Sequence, residues 1–276
     1  MGNQDVDSDA PAKEILEAFR LAGRPVRLSG GGGKAYRVND AVLKQTSDEQ
    51  MMSWLAEITE NLNSERFRVP KPLKSRENAW VYKGWIAHRF EEGRHNEEKY
   101  AESIMVCRDF HKTIADVPKP DFFDSRTDVF HLADKMAWGE MPLPDFYLTN
   151  EPLKKLFGSM QNLDLPKQLI HGDWGPGNIL FHDQLVPAVI DISPYFRPAD
   201  FPIPVMMIDA LADGSASAAI LDLGKDIKPF DQLLRRALAR RILEWVGFAR
   251  HPENDQDRTP EIMKRLNLID LVLGRS

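Results

Sequence analysis

The sequence predicts an α+β protein in which a small antiparallel sheet precedes a larger, mainly helical region. Short apolar runs separated by turn residues occupy the chain from Val26 to Phe90, a pattern typical of antiparallel strands. From Asn96 onward, apolar residues recur at helical spacing in several longer segments. A chain of 276 residues is long enough to bury a core in each of two such lobes.

Composition is that of an ordinary globular protein, with 42% hydrophobic and 28% charged residues. The net charge of −6 argues against nucleic acid as a partner. The single cysteine, Cys107, excludes an internal disulfide, and its place on the apolar face of a predicted helix indicates a core residue. Without a secretory signal or a long apolar run, we expect a cytoplasmic protein that does not bind membranes.

The first lobe is predicted to begin after a polar tail, residues 1–11, that we expect to be disordered. A short helix over 12–21 is followed by two strands, 26–28 and 34–38. The loop between these strands contains four consecutive glycines: Gly30, Gly31, Gly32 and Gly33. Glycines allow backbone N–H groups to approach phosphate oxygens, although the run taken alone is better explained as a flexible hairpin turn. The run lacks the Walker A pattern.

A third strand, 41–44, ends in Lys44, which is placed like the lysine that contacts nucleotide phosphates in kinases. An ordinary exposed strand lysine is the alternative. A helix is predicted over 48–62, with Ser47 as its N-cap and Gln50 completing a capping box.

Prolines keep the segment 69–72 extended, and two further strands are predicted at 80–82 and 85–90. They complete a five-stranded antiparallel sheet. We therefore place the first lobe at residues 12–92 and the second lobe at residues 93–276.

The second lobe is predicted to contain helices over 96–115, 151–160, 201–211, 230–248 and 259–273. Asn150 and Thr259 are the expected caps of the second and last of these helices. His111 is interpreted as a core residue, and the aromatic side chains of 122–147 as core rather than a substrate pocket. The four arginines of the 230–248 helix are interpreted as a solvated face rather than a phosphate site: Arg235, Arg236, Arg240 and Arg241.

The most informative stretch is the Gly- and Pro-rich loop that follows Leu169-Ile170 and precedes Ile179-Leu180. It holds Asp173 and Asn178, and Asp191 follows the next apolar run. The spacing of the first two matches the catalytic loop of kinases, in which a carboxylate accepts a hydroxyl proton and an amide oxygen binds metal. Hard oxygen donors suit Mg²⁺. A plain strand–turn–strand with polar turn residues is the alternative reading.

This run, His171-Gly172-Asp173 with Asn178, Phe181 and Ile190-Asp191, resembles the aminoglycoside phosphotransferase / choline kinase family, whose members have a bilobal protein-kinase-like fold. The resemblance implies that Asp173 is the catalytic base and that Asn178 and Asp191 bind Mg²⁺. It implies also that Lys44 and the glycines hold the phosphates of ATP, and that His171 supports the backbone near Asp191. An acidic residue of the 48–62 helix is expected to pair with Lys44, and we favour Glu49 over three other candidates: Asp48, Glu57 and Glu60.

The resemblance therefore predicts a small-molecule kinase that uses Mg²⁺ and ATP to phosphorylate a hydroxyl group of an aminoglycoside-like antibiotic, an amino alcohol or a sugar. A catalytically inactive kinase-like protein that binds nucleotide or a partner is the alternative. No Phe-Gly follows Asp191, which argues against the activation loop of protein kinases.

Overall fold

The computed structural model describes residues 9–29, 34–252, 254 and 256–275. The described chain divides into two compact units. The first holds the residues through Asn96 together with Gly177–Asp191, and the second holds Glu97–Pro176 and the residues from Ile192 onward. The predicted boundary after Glu92 did not anticipate that residues 177–191 group with the sheet-containing unit.

The first unit contains one antiparallel sheet of six strands in the order β1-β2-β3-β6-β4, with β5 paired to β6. The strands are β1 Val26–Arg27, β2 Ala35–Val38, β3 Ala41–Gln45, β4 Pro72–Leu73, β5 Val81–Tyr82 and β6 Trp85–Arg89. The five predicted strands are all present. The sixth, β4, was predicted only as extended chain, and it pairs with β6 through Leu73 and Ala87.

Two helices flank this sheet, α1 Lys13–Ala18 and α2 Glu49–Asn61. The predicted cap of α2 is wrong by one residue, because the side chain of Asp48, not Ser47, accepts a hydrogen bond of 2.9 Å from the backbone N–H of Met51. Helix α1 is shorter than predicted; it ends before Arg20, whose φ of 59° is left-handed.

The core of the sheet is apolar and includes residues from both strands of the β2–β3 hairpin. Tyr36 and Trp85 lie with ring centroids 6.1 Å apart. The cluster comprises Ile15, Phe19, Tyr36, Val38, Leu43, Trp85 and Ala87. Because Leu43 is fully buried on β3, the alternation of the strand turns the neighbouring Lys44 to the opposite face.

A short hairpin, β8 Ile179–Leu180 and β9 Ala188–Val189, completes the first unit. Two bridges attach the hairpin to the rest of the unit. Arg68, which precedes β4, pairs with Ala188, and Arg94, which follows β6, pairs with Phe181. Gly93 has a φ of +145°, and an added Cβ would lie 2.8 Å from Leu180 Cβ. Only glycine fits at this position, so its backbone can pass close to the hairpin.

The second unit is mainly helical. Its helices are α3 Tyr100–Thr113, α4 Val129–Ala137, α5 Glu151–Gly158, α6 Pro202–Asp213, α7 Phe230–Ala249, α8 Thr259–Leu266 and α9 Ile269–Leu273. An antiparallel pair, β7 Gln168–His171 and β10 Pro194–Arg197, accompanies them. Asn150 caps α5 as predicted, accepting from Leu153 N at 3.1 Å. In the part of the chain that the structure describes, no helix is both long and apolar enough to cross a membrane.

Helix α7 is the centre of this unit, because α4, α5, α6, α8 and α9 all pack against it. The interpretation of its arginines as a solvated face is therefore wrong: Arg235, Arg236, Arg240 and Arg241 are only 1–9% exposed. The predicted C-terminal helix is in fact two helices, α8 and α9, and Thr259 is the first residue of α8 rather than its cap.

Two predictions about α3 are confirmed. Cys107 is fully buried, and burial raises the pKa of its thiol well above the ordinary value. His111 is 1% exposed, as expected of a core histidine.

Candidate functional site

In the first unit, Lys44 forms an ion pair with Asp191. Lys44 lies on β3, paired in register with Ile86 of β6, and Asp191 follows β9. The φ of Asp191 is 53°, a left-handed conformation that costs a non-glycine residue free energy and is enriched at functional sites. The structure thus joins two residues that are 147 positions apart in the chain and that were both predicted to bind nucleotide or metal.

Asn178 lies at the same end of the β8–β9 hairpin as Asp191. Ile179 pairs with Val189, and the backbone N–H of Ile190 donates to the Asn178 carbonyl at 2.9 Å. The register therefore places the amide residue Asn178 and the carboxylate residue Asp191 at the same end of the hairpin, one on each strand's extension. Both supply hard oxygen donors, and Mg²⁺ commonly takes only one or two protein ligands besides water and phosphate oxygens. These residues fit that ion.

The predicted role of Glu49 needs correction. Its carboxylate accepts from the backbone N–H of Gly84 at 3.2 Å, and among the described residues the acidic partner of Lys44 is Asp191. Glu49 is the first residue of α2, so its side chain extends towards the β5–β6 turn. The other predicted phosphate-binding residues, Gly30, Gly31, Gly32 and Gly33, lie outside the described residues.

Burial lowers the pKa values of two neighbouring groups in this unit. Desolvation lowers the pKa of Lys44 to about 8, while the Asp191 carboxylate favours the charged ammonium. Desolvation and the charge of Lys44 lower the pKa of His88 to about 4. At neutral pH His88 is therefore uncharged, and Lys44 is the cation on this part of the sheet.

In the second unit, Asp173 follows β7 and contacts a buried arginine. Arg241 Nη2 lies 2.6 Å from Asp173 Oδ1 and 2.5 Å from Asp209 Oδ2. Arg241 Nη1 lies 2.8 Å from Glu244 Oε2. One guanidinium thus links the predicted catalytic base to carboxylates of two helices, α6 and α7.

The neighbouring arginine holds the backbone of the same loop. Arg240 Nη1 donates to the Gly172 carbonyl at 2.8 Å, and its Nε donates to Glu244 Oε1 at 2.8 Å. Glu244, 2% exposed, therefore accepts from both arginines. Arg240 and Arg241 together fix the main chain and the side chain of two consecutive loop residues, Gly172 and Asp173.

The charge of Arg241 determines the ionisation of Asp173. Burial alone would raise the pKa of Asp173, but the nearby guanidinium outweighs it and holds the pKa well below its ordinary range. The pKa of Asp209 is raised, mainly by burial. Asp173 is accordingly a carboxylate across the neutral range, the form that can accept a proton.

Two histidines support this loop from beneath, as predicted for His171. His171 Nδ1 accepts from the backbone N–H groups of Asp173 at 3.3 Å and Ser193 at 3.2 Å. The backbone N–H of His171 donates to His111 Nε2 at 3.0 Å. Burial and the charge of His171 lower the pKa of His111 to about 3, so His111 remains a neutral acceptor.

Replacing Gly172 with alanine is expected to destabilise this loop, because an added Cβ would lie 2.1 Å from Cδ2 of the buried Tyr195 ring. The Arg240 guanidinium packs over the same ring at 4.2 Å, so the ring cannot move away freely. We expect a loss of about 1–3 kcal/mol in the free energy of unfolding, measured with urea. Gly175→Ala is the control, since no atom of the described residues lies within 4 Å of its added Cβ. Equal stability of the two variants would contradict the packing argument.

Sequence reasoning missed Arg240 and Arg241. The signal was present: these arginines lie within an otherwise Leu- and Ala-rich helix, 230–249, in which charged residues without partners would be costly. A helix with arginines among apolar residues on every face is expected to be buried and ion-paired, not solvated.

Comparison with known proteins agrees with this geometry. The sequence profile of the phosphotransferase enzyme family matches residues 26–192, which include Lys44, Asp173, Asn178 and Asp191. No protein of curated function matches the sequence.

Several solved structures share the fold at low sequence identity. Spectinomycin phosphotransferase, in complex with ADP and spectinomycin, is 14% identical with a TM-score of 0.60, covering 95% of this chain and 96% of its own. Amicoumacin kinase in complex with AMP-PNP and Ca²⁺ is 13% identical, TM-score 0.61, covering 95% and 94%. A choline/ethanolamine kinase family protein from Mesorhizobium loti is 13% identical, TM-score 0.61, covering 92% and 89%. The predicted kinase-like α+β fold is thereby confirmed.

Proposed function

Since the chain belongs to the phosphotransferase enzyme family, a family of small-molecule kinases, we propose that it transfers the γ-phosphoryl group of ATP to a hydroxyl group of a small molecule. The observation that carries this proposal is the ion pair between Lys44 and Asp191. It joins two side chains that are predicted to contact the nucleotide phosphates and the metal, although they come from distant parts of the sequence.

In the proposed reaction, Asp173 orients the acceptor hydroxyl and accepts its proton. The bond from the hydroxyl oxygen to the γ-phosphorus forms as the bond from that phosphorus to the bridging oxygen breaks, and ADP leaves. Arg241 keeps Asp173 ionised, and Arg240 holds the preceding carbonyl. Lys44 provides positive charge for the phosphates. Positioning and fixed charges supply most of the catalysis in such transfers.

Asn178 and Asp191 would hold Mg²⁺ through their side-chain oxygens. When bound, the ion neutralises charge on the nucleotide phosphates. Two observations support this assignment: Asp191 has a left-handed backbone shortly after β9, and Asn178 precedes β8 at the same end of the hairpin. In such a site the ammonium of Lys44 leaves its ion pair with Asp191 and binds phosphate oxygens instead when nucleotide binds.

For the acceptor we propose a hydroxyl-bearing antibiotic of the aminoglycoside type, an amino alcohol or a sugar. Support comes from the structural relatives, which include a spectinomycin phosphotransferase in complex with spectinomycin and a choline/ethanolamine kinase family protein.

Calorimetry with Mg-ATP tests the nucleotide site. Lys44→Ala is expected to weaken binding by about tenfold or more, the value of a hydrogen bond to a charged group. Asp191→Asn should abolish the effect of Mg²⁺ on affinity. Lys13→Ala, a change at an exposed lysine on α1, is the control. Wild-type protein that binds no nucleotide, or a Lys44→Ala variant that binds as wild type does, would contradict the proposal.

Release of ADP over a panel of aminoglycosides, amino alcohols and sugars tests turnover. We expect acceptor-dependent ADP release by at least one class and a phosphorylated product detectable by mass spectrometry. Nucleotide binding without turnover on any acceptor would instead favour the alternative, an inactive nucleotide-binding protein.

A further inference from the structure

The second unit contains a cavity of about 320 Å³ at the end of β7 remote from Asp173. Gln168 and Arg197, which are register partners at that end of the β7–β10 pair, both line it. Three strand steps separate Gln168 from His171, or roughly 10 Å at the usual rise per residue. The cavity is therefore separate from the predicted catalytic base, and its volume is at the lower end of the range for small-molecule sites.

The floor of the cavity contains buried polar atoms without a partner among the described residues. His131 is 3% exposed, and neither of its ring nitrogens has a hydrogen-bond partner in the part of the chain that the structure describes. Asp134 is 1% exposed, and its Oδ1 also lacks a partner there, although its Oδ2 pairs with Arg197. Such atoms are expensive to bury unless something in the cavity bonds to them. A neutral imidazole and a carboxylate oxygen together match a ligand with hydroxyl groups.

The mouth of the cavity is basic. Lys119 and Lys167 are exposed there and pair with Asp124 and Glu140, so each retains unused N–H donors. Lys135 Nζ donates to the Asp124 carbonyl at 2.9 Å, and no carboxylate among the described residues pairs with it.

The charges nearer the floor favour an anion as well. Arg197 satisfies both Glu140 oxygens and one of Asp134, which removes most of the negative charge. Burial, and then the charges of Arg126, Lys135 and Arg197, lower the pKa of His131 to about 4. The imidazole is thus neutral, and the positive charges around it would attract an anion.

We propose that this cavity binds a small hydroxylated phosphate monoester. The three lysines at the mouth, Lys119, Lys135 and Lys167, receive the phosphate, because ammonium groups bind phosphate as point charges from several directions. His131 and Asp134 bind the hydroxyl groups on the floor. Phe123, Tyr195 and Phe196 also line the cavity, and the carbon skeleton packs against these residues. This site does not depend on the proposed phosphoryl transfer.

The first experiment is calorimetry on the full chain without nucleotide, using glycerol 3-phosphate and glucose 6-phosphate. We expect both to bind, and glycerol and glucose not to bind, at about 10 mM ligand, ten times a millimolar Kd. Lys135→Gln should weaken binding by about tenfold or more, since it removes a charged donor. Lys112→Gln, at an exposed lysine of α3 outside the cavity, should change nothing. Asp191→Asn should also leave this binding intact, which separates the cavity from the nucleotide site.

A second variant tests the floor without endangering the fold. His131→Phe keeps a ring against Phe123, whose centroid lies 5.7 Å from that of His131, and removes both nitrogens. We expect a Tm at or above that of wild type, because two partnerless buried atoms are gone. Its affinity for glucose 6-phosphate should fall to that for inorganic phosphate.

Three results would overturn the proposal: no binding of either monoester, binding that Lys135→Gln does not weaken, or inorganic phosphate binding wild type as tightly as the monoesters do. The first would mean that the cavity holds only water, and the last that the site is a simple anion site.

Discussion

Asp173→Asn is expected to lower kcat for phosphoryl transfer by about 10²- to 10⁴-fold, the usual contribution of a general base. Asparagine retains an Oδ1 that can accept from Arg241 Nη2, so the loop geometry survives while the proton acceptor is lost. The fold should survive too, because Arg241 still pairs with Asp209 and Glu244. The measurements are ADP release, Mg-ATP affinity and thermal unfolding.

The control for this variant is Asp164→Asn, a change at an exposed aspartate in the segment before β7. It should leave kcat, nucleotide affinity and Tm unaltered. A turnover number for Asp173→Asn equal to that of wild type, with an acceptor that wild type phosphorylates, would show that Asp173 is not the base. A lower Mg-ATP affinity with unchanged kcat would likewise argue for a binding role only.

Arg241→Met is expected to reduce the free energy of unfolding by about 3 kcal/mol, because removing one partner of a buried ion pair leaves the remaining buried charges uncompensated. Of the carboxylates that pair with Arg241, the least accessible to solvent is Glu244, whose side chain is 3% exposed and which, among the described residues, would keep only its pairing with Arg240. Arg241→Lys keeps the charge but cannot reach several carboxylates at once, so its loss should be smaller. Urea unfolding measures both. The double variant Arg241→Met/Asp173→Asn should recover part of the loss, because the two residues are in contact.

The pH profile separates a positioning role of Arg241 from a purely structural one. In wild type the guanidinium depresses the pKa of Asp173, so the base stays ionised and the acid limb of kcat/KM lies at low pH. Without Arg241 the effect of burial remains, which raises that pKa, and the acid limb should move to higher pH. The same depressed pKa stabilises wild type above the unfolded-state value, near 3.9, and that stability is lost as the pH falls. An Arg241→Met profile that coincides with that of wild type would reduce Arg241 to a structural residue.

The alternation and spacing of apolar residues were sufficient to predict most of the strands and helices. Strand positions from Val26 to Arg89 followed from turn residues and apolar runs, and helices in the second unit followed from their periodicity. Ends were less accurate: α3 begins at Tyr100 rather than Asn96, and β4 was read as extended chain. Such ends depend on caps and pairings with distant segments, such as Leu73 with Ala87, which local sequence does not specify.

The candidate catalytic loop could be predicted from the sequence because its polar groups are close together in the chain. Asp173, Asn178 and Asp191 fall within 19 consecutive residues, and their spacing alone indicates the chemistry. Contacts between residues that are distant in the sequence could not be predicted. The partner of Lys44 was expected on α2, yet Asp191 takes that place, and Glu49 bonds to Gly84 instead.

By itself, then, the sequence determined the α+β class, the order of its elements and the polar groups of the loop at 171–191, because local spacing encodes each of them. Only the tertiary structure decided that α7 is central, that its arginines are buried, and that Arg241 keeps the Asp173 carboxylate ionised. The sequence alone does not distinguish an arginine that faces water from one that pairs with buried carboxylates. Its role depends on which segments fold against it, here α6 and the loop after β7, and that is a property of long-range packing.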